Sequence, residues 1–176
     1  MEHLELEERM KRIRLLILDI DGILTDGRII YDNRGNELKF FDVQDGFGIV
    51  LLKRAGIEAV IMTAKKSKVV SRRAKDFNVR HVYQNCFDKL KVFEEIVKRF
   101  NLAPDEICFM GDDLIDIPVL KRVGFAVSVP NAVEESRNAA HYITTRHGGR
   151  GAVREICDLI LKTQKRWHDV TARYTR

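Results

Sequence analysis

Two carboxylates close the first apolar run of the sequence: Leu15-Leu16-Ile17-Leu18-Asp19-Ile20 is followed at once by Asp21 and Gly22. Set beyond a strand, where open α/β sheets bind ligands, Asp19 and Asp21 can both face a ligand if the chain turns immediately, and Gly22 permits that turn. Burying two like charges is costly unless a cation or a proton compensates. A second acidic group, Met110-Gly111-Asp112-Asp113-Leu114-Ile115-Asp116, again follows an apolar run. Helix capping accounts for one of Asp112 and Asp113, and less well for both. Taken with Asp19 and Asp21, and with no His or Cys beside them, the oxygen donors suit a hard cation, Mg²⁺ in particular. Thr63 ends the run IEAVIM just before a helical pattern that starts at Ser67. Its hydroxyl and the backbone N–H groups after it could hold an anion at a helix N-terminus, although alone it reads as an ordinary N-cap. Lys89 opens another helical pattern, a position that opposes the helix dipole and that a bound phosphate would favour; alone it reads as a solvated lysine.

These residues need elements to hold them, and the sequence supplies an alternation. Short apolar runs at 15–20, 57–62, 80–83, 106–110, 124–129 and 141–144 predict strands, the first of them covered on both faces. Amphipathic stretches at 46–55, 67–77, 89–100, 114–122, 133–139 and 152–165 predict helices between them. The alternation implies βαβ units: an α/β, Rossmann-like, mostly parallel sheet with helices on both faces. One stretch interrupts it. Residues 28–31 and 37–41 flank the turn-rich Asp32-Asn33-Arg34-Gly35-Asn36, which predicts a projecting β-hairpin at about 28–41, directly after the first strand. A parallel sheet has no use for its apolar residues, so it is expected to pack on another subunit.

The 176 residues fit a single domain spanning 1–176, with a tail at about 146–176. An apolar content of 45% excludes a disordered chain, and no apolar run approaches a membrane span. The acidic N-terminus does not read as a secretory signal, and none is expected. Cys86, Cys108 and Cys157 are far apart without metal-binding spacing and read as reduced, buried, cytosolic thiols. The formal net charge of +5 raises the question of nucleic acid, and its location is uneven. From Arg146 to Arg176 there are eight Lys and Arg against three acids, while the rest of the chain balances at 23 against 23.

The ordered set of Asp-x-Asp-Gly, Thr, Lys and Gly-Asp-Asp-x-x-Asp, each at a strand end, resembles the haloacid dehalogenase superfamily of phosphohydrolases. The segments DIDGILTDGRIIY, FDVQDGFGIVLLKRAGIEAVIMT, FDKL, ICFMGDDLIDIPVL and HGGRGAVREICDLIL are similar to a capless, tetrameric subclass, the 3-deoxy-D-manno-octulosonate 8-phosphate phosphatases. That resemblance implies a domain without a cap, a tetramer built through the hairpins, and cytoplasmic work in making a lipopolysaccharide sugar acid. It implies Asp19 as nucleophile and Asp21 as general acid and base. It further implies Mg²⁺ held by the Asp19 carboxylate, the Asp21 carbonyl and Asp112, with Thr63, the Ala64 N–H and Lys89 on the phosphoryl oxygens. Asp113 and Asp116 would stand behind the metal, orienting water or Lys89, and Arg150 of the Gly-rich tail would reach the substrate of a neighbouring subunit. Ala64-Lys65 stands where such phosphatases usually carry Gly-Arg, Val50 where Arg is common and Asn85 where Gly is common. These changes leave the reaction class intact and the exact sugar open, a related nine-carbon sugar acid being the alternative.

Two other classes share parts of the pattern. A phosphoacceptor signalling domain also uses strand-end aspartates, Mg²⁺, Thr and Lys, but it places an adjacent acidic pair after the first strand, whereas Ile20 splits the pair here. A nucleic-acid module would account for the charge, but GxGxxG, zinc spacing and ribonucleoprotein aromatics are missing, so neither nucleic acid nor membrane is expected as a partner.

Overall fold

The computed structural model describes residues 2–174. Six parallel strands form one sheet in the order β5-β4-β1-β6-β7-β8, from β1 (Leu15–Leu18), β4 (Glu58–Met62), β5 (His81–Tyr83), β6 (Ile107–Met110), β7 (Phe125–Ser128) and β8 (Tyr142–Ile143). Every residue of β1, β6 and β7 is buried, as expected of central strands covered on both faces. Alternate residues serve opposite layers. Leu16, Leu18, Ala59 and Ile61 pack with α1 (Glu2–Arg12), α2 (Val43–Arg54) and α7 (Ala152–Thr163), while Leu15, Ile17, Val60 and Met62 pack with α4 (Lys89–Phe100) and α5 (Ile117–Leu120). Among the described residues no cap domain stands over the sheet.

Register places the chemistry. Leu18 pairs with Ile61 on one side and with Met110 on the other. The residues that follow β1, β4 and β6 therefore leave the sheet together along one edge, which carries Asp19, Thr63 and Gly111-Asp112 to the same place. The expected hairpin is present, with β2 (Ile30–Tyr31) and β3 (Glu37–Leu38) antiparallel and shorter than the apolar stretches that flag it.

Elsewhere the boundaries shift for identifiable reasons. The first strand stops at Leu18, because the backbone N–H groups of Ile23, Leu24 and Thr25 converge on the carbonyl of Ile20 and wind the chain into a tight turn. The helix expected over 114–122 divides into a 3₁₀ turn, Leu114–Asp116, and the short α5, because the Asp116 carboxylate folds back onto the backbone at Asp112 and Asp113. Among the described residues two α-helices lie outside the expected set. In α1, among the described side chains, Leu6 and Met10 face the core, too few to produce a legible period, and Gln164 from beyond α7 holds the carbonyls of Met10 and Ile13. α8 (Trp167–Thr171) is hardly more than a turn, seated by Trp167 and the buried Val170. The remaining helices are α3 (Lys68–Asp76) and α6 (Glu134–Ala139).

Candidate active site

Asp19, Asp21, Thr63, Ala64, Lys89 and Asp112 line one cavity of about 250 Å³ at the carboxyl edge of the sheet, which Lys65 and Asp113 also border. Asp19 is 6% exposed and Lys89 is 2% exposed, so both charges are buried. The Lys89 ammonium lies 2.9 Å from Asp19 Oδ2 and 2.5 Å from Asp116 Oδ1. Burial works against its charge, but the two carboxylates outweigh burial and hold it firmly protonated. The unfavourable first-turn position of Lys89 is thus explained before any phosphate is considered: α4 starts there because Asp88 caps it, accepting from the Lys91 N–H at 3.1 Å, and the cation answers buried acids.

Asp116 is fully committed. Its second oxygen accepts the backbone N–H groups of Asp112 at 3.0 Å and Asp113 at 3.1 Å, which fixes the loop that presents Asp112. Asp113 takes a different place from Asp116: it is exposed, it caps the 3₁₀ turn through the Leu114 N–H at 2.7 Å, and among the described residues it makes no ion pair with Lys89.

The local charge is unbalanced. Carboxylate oxygens of Asp19, Asp112 and Asp116 lie within 4.8 Å of one another, with one ammonium among them. Burial pushes the Asp19 carboxyl up to about 7 despite Lys89, and burial followed by the charges of Asp19 and Asp116 pushes Asp112 up to about 8. Asp112 Oδ1 is buried with no hydrogen-bond partner among the described residues. A divalent cation held by Asp19 and Asp112 would supply that partner and remove the repulsion, and oxygen-only donors suit a hard ion. Gly22 keeps the space open: a Cβ on it would stand 1.9 Å from Asp112 Oδ2, and its φ of +86° is one that L side chains rarely adopt.

Thr63 is buried, and the N-cap expected of it belongs instead to Ser67, whose Oγ accepts the Val70 N–H at the start of α3. The Thr63 hydroxyl consequently has no hydrogen bond among the described residues and remains available to a ligand. Asn85, where a glycine is common, has φ +60°, a left-handed conformation that asparagine tolerates better than most residues. Val50 borders a separate cavity beside Lys53 and Arg80, away from Asp19. Arg150 also lies outside the Asp19 cavity, lining a neighbouring one of about 330 Å³ with Arg28 and Asp42 of its own chain. The glycines before it are there for close packing: a Cβ on Gly148 would stand 1.6 Å from the Gly22 carbonyl oxygen, and the Gly149 N–H donates to Ile23 O at 2.8 Å.

The model of the haloacid dehalogenase-like hydrolases matches residues 48–156. The 3-deoxy-D-manno-octulosonate 8-phosphate phosphatase KdsC of Yersinia pestis is 43% identical over 164 residues, covering 93% of this chain and 88% of the relative. The chain belongs to the haloacid dehalogenase-like hydrolases. Within this family its fold follows the phosphatases closely. The Moraxella catarrhalis 3-deoxy-D-manno-octulosonate 8-phosphate phosphatase, solved with magnesium, phosphate and the KDO molecule, superposes with a TM-score of 0.94 at 42% identity, over 97% of this chain and 98% of that one. The cobalt-bound Haemophilus influenzae enzyme gives 0.89 at 30% identity, over 96% and 99%. Like these family members, the chain is a phosphoric monoester hydrolase.

Several residues at this hydrolase site had no audible signal in the sequence. Thr25 Oγ donates to Ile20 O and accepts the N–H groups of Gly22 and Gly27, wiring the turn that presents Asp21. Ser128 Oγ holds the Gly111 carbonyl at 2.8 Å, and Asn131 Oδ1 holds the Gly148 N–H at 2.9 Å. Lys39 reaches Asp21 from the hairpin. Serines, threonines and lysines in such segments are commonplace, and only distance distinguishes these.

Proposed function

We propose that this hydrolase cleaves 3-deoxy-D-manno-octulosonate 8-phosphate to the free sugar acid and inorganic phosphate, with Mg²⁺ as its metal. The observation that carries the reading is the convergence of Asp19, Asp21, Thr63, Ala64, Lys89 and Asp112 on one cavity, in a chain so similar to phosphatases of that substrate. Asp19 attacks phosphorus, forming a carboxyl O–P bond as the P–O bond to the sugar breaks. Asp21 gives its proton to the departing sugar alkoxide, then removes one from the water that cleaves the aspartyl-phosphate and regenerates Asp19. Thr63, the Ala64 N–H and Lys89 take the phosphoryl oxygens. The Asp19 carboxylate, the Asp21 carbonyl and Asp112 would hold the cation, which when bound offsets the charge of nucleophile and phosphate. Asp116 serves by fixing Lys89 and the Asp112 loop.

A phosphate-release screen over sugar-acid phosphates with Mg²⁺ tests this. Asp19→Asn should lose at least ~10³-fold in kcat; equal release by variant and wild type would end the assignment. A related nine-carbon sugar acid is the second reading, favoured by Lys65 at the cavity: lysine offers a point charge where arginine offers a bidentate fork.

Self-association as a tetramer through hairpin and tail is supported by Ile29, Tyr31, Leu38 and Phe40, all exposed on the hairpin. Native mass spectrometry should give four chains, and a monomer at micromolar concentration would count against it. Arg150 would then act on a neighbour's substrate. Three free, buried cysteines support a cytoplasmic enzyme, and the likeness to 3-deoxy-D-manno-octulosonate 8-phosphate phosphatases supports a role in lipopolysaccharide synthesis.

A further inference from the structure

The inner face of the hairpin is polar. Leu38 and Phe40 are 50% and 67% exposed, while the alternating residues Glu37 and Lys39 turn inward. The Lys39 side chain is 1% exposed, and its ammonium lies 2.5 Å from Asp21 Oδ1 and 3.3 Å from Glu37 Oε1. Glu37 Oε2 accepts the Ser67 hydroxyl at 2.5 Å, and the Ser67 N–H donates to Gln84 Oε1 at 2.6 Å. A continuous polar chain thus runs from Asp21 through the hairpin to the first turn of α3. Among the described residues, no other side chain donates a hydrogen bond or ion pair to the Asp21 carboxylate. Burying a lysine stem and dividing its ammonium between two carboxylates costs hydration and rotamer freedom, which packing alone would not require.

We propose that Lys39 is a positioning residue for Asp21. It ties down Oδ1 and leaves Oδ2 for the leaving-group oxygen, and the Glu37–Ser67 contact sets the hairpin where Lys39 can do so. As the P–O bond breaks and the proton passes from Asp21 to the sugar alkoxide, the carboxylate left behind is the form that Lys39 stabilises. When water later attacks the phosphorylated Asp19, the same contact holds Asp21 in place to receive the proton. This role rests on the acid–base assignment of Asp21 made above.

The test compares kcat/KM for two substrates: an alkyl phosphate, the sugar-acid ester, whose alkoxide needs a proton, and an aryl phosphate such as p-nitrophenyl phosphate, whose phenolate departs without one. Asp21→Asn should lose far more on the alkyl ester than on the aryl ester. Lys39→Met should lower the alkyl value about tenfold, a fraction of the full general-acid contribution, with KM and the aryl value within about twofold. Lys39→Arg should recover to within about threefold of wild type. Combining Glu37→Gln with Lys39→Met should add little further loss, as expected of residues acting in one chain. Equal losses on both esters, or no recovery with arginine in a variant of unchanged melting temperature, would overturn the role while leaving Asp21 as acid and base. If Asp21→Asn itself fails to distinguish the esters, the acid–base assignment falls and this role with it. Should Lys39→Met not fold, Lys39→Arg against Glu37→Gln carries the comparison: recovery in the former and a selective alkyl loss in the latter support the role, and parallel losses overturn it.

Discussion

Asp112 has one oxygen buried without a partner among the described residues, and burial together with Asp19 and Asp116 raises its carboxyl to about 8. Asp116, with similar chemistry a few residues away, has both oxygens occupied by Lys89 and backbone N–H groups. The two residues therefore differ in what they can still bind. Adding Mg²⁺ at a hundred times its dissociation constant should stabilise the folded wild type by about 2.7 kcal/mol, because the ion binds only the folded state. Asp112→Asn should remove most of that gain and nearly all phosphatase activity, while the metal-free variant folds at least as well as wild type. Thermal unfolding with and without Mg²⁺ checks this, and an undiminished Mg²⁺ shift in the variant would place the ion elsewhere. At this scale the sequence was informative about identity and silent about division of labour. Asp112, Asp113 and Asp116 form one acidic run, but one lacks a partner, one caps a turn and one anchors a lysine.

Helix α7 begins at Gly151, which has no side chain to cap it, and Asp45 of α2 supplies the cap from across the interface. Its carboxylate accepts the N–H groups of Gly151 at 3.3 Å and Arg154 at 2.8 Å. Burial outweighs these donors and lifts the carboxyl to about 6 from an ordinary 3.8. The folded state therefore holds a proton between those values that the unfolded chain has released. The stability tied to this group is complete below about pH 4 and is lost as pH rises through about 6, by roughly 1–3 kcal/mol. Urea unfolding across that window should show the decline, and Asp45→Asn should flatten it. Asp45→Ala leaves two helix N–H groups unpaired and should cost about 1–3 kcal/mol at pH 7. Helix periodicity located α2 and α7, but not this link, since Asp45 and Arg154 are 109 residues apart. The short α8 and the weakly apolar α1 escaped for a related reason: they are helical because of what they rest on.

Across the whole molecule, the surplus charge of the C-terminal segment divides between two ends. Arg150 borders a cavity beside the catalytic edge, whereas Arg166 and Arg173 border one with Arg54, where α2 ends, at the opposite edge of the sheet. A helix of that length separates the two by roughly 18 Å, about two Debye lengths at physiological salt. Steering of an anionic substrate should therefore depend on Arg150 and hardly on Arg173. Raising ionic strength from about 0.05 to 0.3 M should lower kcat/KM severalfold with kcat unchanged. Arg150→Ala should weaken that dependence and Arg173→Ala should not; equal effects would mean that net charge, not its placement, attracts the substrate.

Strand-end chemistry is written in short runs, so the sequence by itself determined the parallel α/β order, the hairpin after the first strand and the residues that meet at one edge. An apolar run followed at once by Asp, Thr or Gly-Asp-Asp carries both the strand and the position where it ends. The tertiary structure decided which groups those residues touch. Lys89 answers Asp19 and Asp116, Lys39 crosses from the hairpin to Asp21, and Gly148 presses on the Gly22 turn. Each contact joins segments brought together only by sheet register and helix packing, and no local period in the chain encodes a distance of that kind.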